Sequence, residues 1–309
     1  MLDIITIGSA TLDVFLRSPG FKIGRRGKER LVLEGGKIEI EEVFFQSGGG
    51  ATNTAVGFSR LGLKTAAVAR FGDDLPGQWL AKELEAEEFD RRFLLQVKGD
   101  KTDYSTILVG DNGERIILVS RGQSRLEEKI FPLSKLPVSQ WVYLSSLEGN
   151  LSLLEKIVFW AKERGSRIAL NPGGRELEEK KRLRVLLPLL TVLIVNEEEA
   201  SAFWGKNWQP AIRRCPAGIT VVTKGAKGAC LASKGKLIEE PIFKRKTVDA
   251  TGAGDAFNGA LAASLAGSPG RAFIEHVRFA NRFAALSTER AGAALAMPTQ
   301  AQVQQRFPH

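Results

Sequence analysis

Thr191-Val192-Leu193-Ile194-Val195-Asn196-Glu197-Glu198-Glu199 passes in one step from an apolar, β-branched run to an acidic segment. The run has the length and composition of a buried strand, and the residues after it predict a helix over Glu197 to Trp204. The same unit recurs on both sides. Strands are predicted at Trp141 to Ser145, Arg167 to Leu170 and Ile219 to Thr223, with helices at Leu151 to Arg164 and Arg175 to Leu187. Strand–helix alternation over this length implies an α/β protein whose mainly parallel sheet is covered on both faces. Asn171, Asn196 and Thr223 each lie at or just after a strand end. They therefore point at one rim, where ligands of such sheets bind.

Toward the N-terminus, Ile4 to Gly8 reads as the first strand, and Lys37-Ile38-Glu39-Ile40-Glu41 alternates as an exposed strand does. A helix is predicted from Ala51 to Leu61, stopping at Gly62, then a strand at Ala66 to Arg70 and a helix from Leu75 to Glu88. Ser105 to Val109 and Arg115 to Val119 flank Asp111-Asn112-Gly113, a hairpin signal. Toward the C-terminus, the pair Cys230 to Ala232 and Leu237 to Glu239 precedes two helices, Gly254 to Ala266 and Arg271 to Glu289.

Composition excludes several classes. The 309 residues are 43% hydrophobic and 26% charged, as in ordinary soluble globular proteins. The chain starts its apolar pattern almost at once, with no basic leader, and no apolar run approaches the roughly 20 residues of a membrane helix. A cytoplasmic protein without a membrane partner is expected. Cys215 and Cys230 are expected in the core, since two cysteines make neither a disulfide framework nor a metal-binding pair at short spacing. His276 and His309 offer no zinc set. The net charge is +9, but basic residues mix with acids, as in Glu176-Leu177-Glu178-Glu179-Lys180-Lys181-Arg182. Such runs form solvated helix faces, so no nucleic-acid partner is expected. The densest basic cluster, Lys22 to Arg30, reads as a solvated loop or as an attractor of a phosphorylated ligand.

Two glycine-rich segments carry the chemistry. Asp249-Ala250-Thr251-Gly252-Ala253-Gly254-Asp255 stands between a strand and a helix. Glycines at a helix start let backbone N–H groups converge on an anion, and the helix end adds positive potential. Asp255 would repel a phosphate there, unless it takes the proton of a hydroxyl that attacks one. Alone, the segment also reads as a turn with Asp255 as a helix-start residue. Ser47-Gly48-Gly49-Gly50-Ala51-Thr52-Asn53 places three glycines before another helix, and Asn53 offers a donor and an acceptor suited to sugar hydroxyls. Asp13 can hold a diol or cap a turn. No Gly-x-x-x-x-Gly-Lys-[Ser/Thr] occurs, so this is not a P-loop enzyme.

Together these residues resemble the ribokinase-like carbohydrate kinases, the PfkB family, over nearly the whole chain. Gly8 to Asp13 is similar to the family's first strand and sugar-binding Asp, and Gly48 to Asn53 to its first signature. Phe71-Gly72-Asp73-Asp74-Leu75-Pro76-Gly77 resembles its Gly-Asp-Asp-x-x-Gly element. Asn196-Glu197-Glu198-Glu199 resembles the Asn-x-x-Glu motif, Thr223 to Gly228 the nucleotide-binding Thr-x-Gly-x-x-Gly, and Asp249 to Asp255 the second signature. Arg290-Ala291-Gly292-Ala293 resembles the loop by the nucleotide and the monovalent cation.

The resemblance implies a ribokinase-like three-layer α/β/α sandwich with a mainly parallel central sheet and a small β-sheet lid. One kinase domain would span 1–309, with lid segments at about 14–45 and 95–120. It implies ATP-dependent transfer of the γ-phosphoryl group to a hydroxyl of a small sugar. Asp255 would be the base, and Gly252, Ala253 and Gly254 the anion hole. Asp13, Gly49, Gly50 and Asn53 would hold the acceptor, and Asn196, Thr223, Gly225, Gly228 and Gly254 the nucleotide. Glu199 would organise Mg²⁺ through water, and Asp249 and Thr251 would adjoin a K⁺ site. Lids of this kind pair between subunits, which implies a homodimer. Lys224 reads as a phosphate contact or as a solvated lysine. Departures at Asn171-Pro172-Gly173-Gly174, at Gly50-Ala51-Thr52 and in the basic insert 22–37 leave the acceptor open. A nucleoside kinase, a phosphosugar kinase and a non-catalytic sugar-binding protein are the alternatives, in that order.

Overall fold

A computed structural model describes residues 1–23, 36–110, 115–290 and 292–307. The basic residues 24–30, the turn 111–113, Ala291 and His309 lie outside the described residues. Along the chain the strands are Leu2–Ile7 (β1), Thr11–Arg17 (β2), Glu42–Gly48 (β3), Thr65–Gly72 (β4), Leu94–Val97 (β5), Asp103–Val109 (β6), Arg115–Ser120 (β7), Ser139–Leu144 (β8), Arg167–Leu170 (β9), Val192–Asn196 (β10), Ile219–Thr223 (β11), Ala229–Ser233 (β12) and Lys236–Glu240 (β13). The helices are Gly50–Arg60 (α1), Leu75–Leu84 (α2), Leu151–Glu163 (α3), Gly174–Glu178 (α4), Lys180–Leu186 (α5), Glu197–Trp204 (α6), Gln209–Arg213 (α7), Ala253–Gly267 (α8), Phe273–Ser287 (α9) and Gln300–Arg306 (α10).

The main sheet runs β13-β12-β11-β10-β9-β8-β1-β4-β5. Pairing is parallel from β11 to β5, and β12 and β13 add an antiparallel edge. Its strands are apolar on both faces, because each face meets helices. Ile5, Ile7, Val142, Leu144, Leu193 and Val195 pack with Leu154, Ile157, Leu183 and Phe203 of α3, α5 and α6. The alternate residues Ile4, Tyr143, Ile194 and Val221 pack with Phe58, Phe257, Val277 and Phe283 of α1, α8 and α9. The result is the three-layer α/β/α sandwich expected. No helix among the described residues is long and apolar enough to cross a membrane.

A second sheet, β3-β2-β6-β7, forms the lid. It begins at Thr11 rather than near residue 14, so Asp13 rides on the lid itself. Leu94–Val97, expected in the lid, pairs with β4 in the main sheet instead. Lys37 to Glu41 is no strand, because Ile38 and Ile40 turn onto Phe21, Ile23 and Leu108. The α2 helix stops at Leu84 because the backbone at Glu88 and Asp90 is pulled to Ser59 and Thr65. The helix predicted over 175–187 breaks at Glu179, as Glu176 turns inward to accept from Leu147 N and Gly149 N, each at 2.8 Å. Cys230 is buried, while Cys215 is only half-buried.

Candidate active site

The residues expected to face the phosphoryl group lie at the start of α8. Gly252 sits at φ 73, and a Cβ there would lie 2.7 Å from the Ala293 backbone, so only glycine fits. Asp249 braces the loop: its Oδ1 accepts from Thr251 N at 2.8 Å and Thr251 Oγ1 at 2.7 Å, and its Oδ2 from Gly292 N at 2.9 Å. The first N–H groups of a helix have no intrahelical partner. Ala253 is an exception to the expected anion hole, since its N–H donates to Ala250 O at 3.3 Å.

The acceptor end faces it. Asn53 lies on the buried first turns of α1, and its Nδ2 donates to Asp255 Oδ2 at 2.8 Å. Asn53 Oδ1 is buried with no partner among the described residues, which fits a ligand hydroxyl. Burial pushes the Asp255 carboxyl above the ordinary carboxylate range, partly offset by the Asn53 donor. Asp13 is raised for the same first reason; hydrogen bonds from Ser105 and Thr11 lower it, and the charge of Asp255 raises it further. The charge of Asp255 therefore reaches Asp13 across the site. Gly49, at φ 99, caps α1 so closely that a Cβ would lie 2.5 Å from Ser9 O. Gly50 approaches Ser145 with a similar lack of room.

The nucleotide residues meet through strand register. Asn196 and Thr223 are direct partners on the parallel strands β10 and β11. Gly225 and Gly228 take positive φ in the turn beyond, which Lys224 N closes by donating to Gly228 O at 2.7 Å. The Lys224 ammonium, largely buried, pairs with Glu239 rather than standing free in solvent. Asn196 and Glu199 form a capping box at the start of α6, with Asn196 N donating to Glu199 Oε2 and Glu199 N to Asn196 Oδ1, each at 2.8 Å. Burial raises the Glu199 carboxyl. Its other oxygen accepts from no protein donor among the described residues, which fits water-mediated contact with a hydrated Mg²⁺. No cluster of three metal-ligating side chains exists among the described residues. Asp73 and Asp74 are structural: Asp74 caps α2 and accepts from Thr102 Oγ1 at 2.6 Å, and Asp73 accepts from Gly99 N at 2.8 Å.

Four residues here were not singled out for the site by the sequence. Arg115, on lid strand β7, donates to Ala250 O at 3.5 Å and lies 3.9 Å from Asp249 Oδ1. Glu148 follows β8 in a left-handed conformation, φ 57, beside Gly8 and Ser9. Arg121 reaches Glu148 Oε1 at 2.6 Å and Asp103 Oδ2 at 3.0 Å. Burial, then hydrogen bonding and repulsion from Asp103, push the Glu148 carboxyl to about 7, against the pull of Arg121. Glu83, on α2, accepts from Ser47 N just before the first glycine triplet, and burial pushes it to about 7.

Glu83 gives a stability test. A carboxyl raised in the folded state binds more protons folded than unfolded, so its contribution is lost as pH rises from about 4.5 to about 7. Glu83→Gln should flatten the fall of the denaturation midpoint across that window. An unchanged pH slope would show that Glu83 titrates normally.

A glycine-rich helix start, a buried carboxylate on it and the Asn53 amide bonded to that carboxylate are the kind of arrangement a small-molecule kinase needs. Residues 1–300 match the family model for pfkB family carbohydrate kinases, and the chain belongs to that family. It is a carbohydrate kinase, a phosphotransferase with an alcohol acceptor. It is 30% identical to the ribokinase of Haemophilus influenzae over 273 residues, covering 85% of this chain and 87% of that one. Among solved structures, Arabidopsis thaliana ribokinase complexed with ribose and ATP superposes with a TM-score of 0.81 at 24% identity, covering 100% of this chain and 99% of that one. Burkholderia thailandensis nucleoside kinase in complex with inosine gives 0.79 at 19%, covering 98% and 95%. These two likenesses establish the fold.

Proposed function

We propose that this protein is a single-domain cytoplasmic kinase that moves the γ-phosphoryl group of ATP to a hydroxyl of a small sugar. The observation that carries the reading is Asp255, held by Asn53 at 2.8 Å at the start of an anion-binding helix. Asp13, Gly49, Gly50 and Asn53 orient the acceptor, with Glu148 beside them. Asp255 takes the hydroxyl proton as the oxygen attacks. The backbone N–H groups of Gly252 and Gly254 receive the phosphoryl charge that develops. Asn196, Thr223, Gly225 and Gly228 hold the nucleotide. Mg²⁺, held through water by Glu199, supplies charge neutralisation at the phosphates. The lid carries a homodimer interface in this reading.

A nucleoside acceptor is the second reading, favoured by one feature. The lid face that carries Asp13 also carries Phe15 and Phe44, stacked at 4.5 Å, and the paired Ile107 and Ile117. Such a strip can cover a nucleobase as well as sugar carbons. ADP release over hexoses, pentoses, sugar acids, phosphosugars and nucleosides separates the readings. No turnover with any of them would leave a sugar-binding protein without catalysis.

K⁺ is proposed beside Asp249 and Thr251, where Arg115 already brings a cation within 3.9 Å. The K⁺ response of the wild type should therefore be shallow. A long, partly exposed ion pair is worth about 0.2–1 kcal/mol, so Arg115→Ala should lose up to about fivefold in kcat, with a steeper K⁺ dependence. Wild-type kcat and an unaltered K⁺ response in that variant would remove Arg115 from the site.

A further inference from the structure

A cavity of about 830 Å³ opens between α9 and α10, next to the segment 240–244 that packs on Gly228. Its walls include Arg271, Arg278 and Arg282, and its apolar surface comes from Phe279, Val303 and Phe307. Positions 275, 278 and 282 fall on one face of α9, and Arg271 lies in the turn just before it. A smaller adjoining cavity of about 430 Å³ shares Arg278 and Arg282 and adds Lys244 and Glu240. Four cations thus meet two carboxylates, Glu240 and Glu275, and among the described residues only Arg278 is seen paired, with Glu240 at 3.2 Å.

Arg282 is arranged unusually. Its guanidinium carbon lies 5.1 Å from the Phe243 ring and 5.3 Å from the Phe307 ring. Its Nε is buried without a hydrogen-bond partner among the described residues. Stacking holds a guanidinium by its faces and leaves its N–H edge available for a planar or tetrahedral oxyanion. A buried donor without an acceptor costs stability unless a ligand supplies one. Arginines beside apolar rings suit a molecule with a charged end and an apolar or aromatic body.

We propose that this cavity is a second ligand site, distinct from the kinase site, for a phosphorylated small molecule with an apolar or aromatic portion. The position also connects it to catalysis. Asn281 of α9 donates to Pro241 O at 3.3 Å, at the head of the segment that ends at Asp249. The residue after α9, Thr288, accepts from Val248 N at 2.8 Å and Asp249 N at 3.2 Å. One irregular segment therefore runs from the cavity wall at Lys244 to the carboxylate that braces the phosphoryl loop.

The test is calorimetry with AMP, ribose 5-phosphate and inorganic phosphate as probes, with the kinase site saturated by a non-hydrolysable ATP analogue. Binding is read without turnover, so failure to find the acceptor does not affect it. AMP should bind saturably and more tightly than inorganic phosphate. Arg271→Glu, a change at an exposed residue that should leave the fold intact, should weaken it at least tenfold, and Arg282→Met should do the same. Linkage is reciprocal, so AMP should also shift the Kd of the ATP analogue by about fivefold or more. The proposal is overturned by absence of saturable binding for all three probes, by inorganic phosphate binding as tightly as AMP, by undiminished binding in both variants, or by an analogue Kd that AMP leaves unchanged.

Discussion

Asp255→Asn should lose about 10²–10⁴-fold in kcat while nucleotide affinity stays close to wild type. The variant should fold at least as well, because burial already disfavours the charged carboxyl at this position. An asparagine can keep the contact that Asn53 now makes to Asp255 Oδ2 at 2.8 Å. The loss would then report proton removal rather than a damaged site. The pH profile gives a second readout. Asp255 acts as a base only when ionised, and burial raises its carboxyl, so wild-type kcat should begin to fall on acidification above the usual carboxylate range. The residual rate of the variant should lack that limb. Full kcat in Asp255→Asn would mean another group takes the proton.

Gly252→Val should cost about 10²–10³-fold in kcat through loss of the oriented backbone donors. Two constraints act together. A left-handed conformation costs an L-residue about 1–2 kcal/mol, and the added Cβ would lie 2.6 Å from Ala293 Cβ. The loop must move, and Asp249, Thr251 and Gly292 move with it. Gly254→Ala is the informative partner. A Cβ there meets nothing within 4 Å, and its φ is not positive. That variant should fold normally, so any loss of kcat would reflect crowding of the transferring group rather than of the protein. If Gly252→Val turns over at the wild-type rate, the helix start is not the anion site.

Much of the sheet was legible because its signal is local. Arg167–Leu170 is a short, mostly apolar run and Ile219–Thr223 a short β-branched one, and a polar residue follows each. Asn53 and Asp255 were legible because glycines surround them at helix starts. What escaped reading was set by distant partners. Nothing near Ile38 and Ile40 says that they leave the strand pattern to cover Phe21 and Leu108. Thr11–Arg17 hid because its residues are buried on both faces, and so lack a simple alternation. Glu148 looks like any acidic loop residue until β8 carries it next to Asp103 and Arg121. Arg115 becomes a site residue only because its strand pairs with β6 and so returns to Ala250. The acceptor's identity was not legible because the lid strip of Phe15, Phe44 and Ile107 is apolar, and apolar contact does not name a hydroxyl.

Gly49 has a mechanical consequence. The lid strand β3 ends at Gly48 and the core helix α1 begins at Gly50, so a single residue joins the second sheet to the helix that presents Asn53. Any rotation of that sheet about this joint would also turn the first peptide of α1.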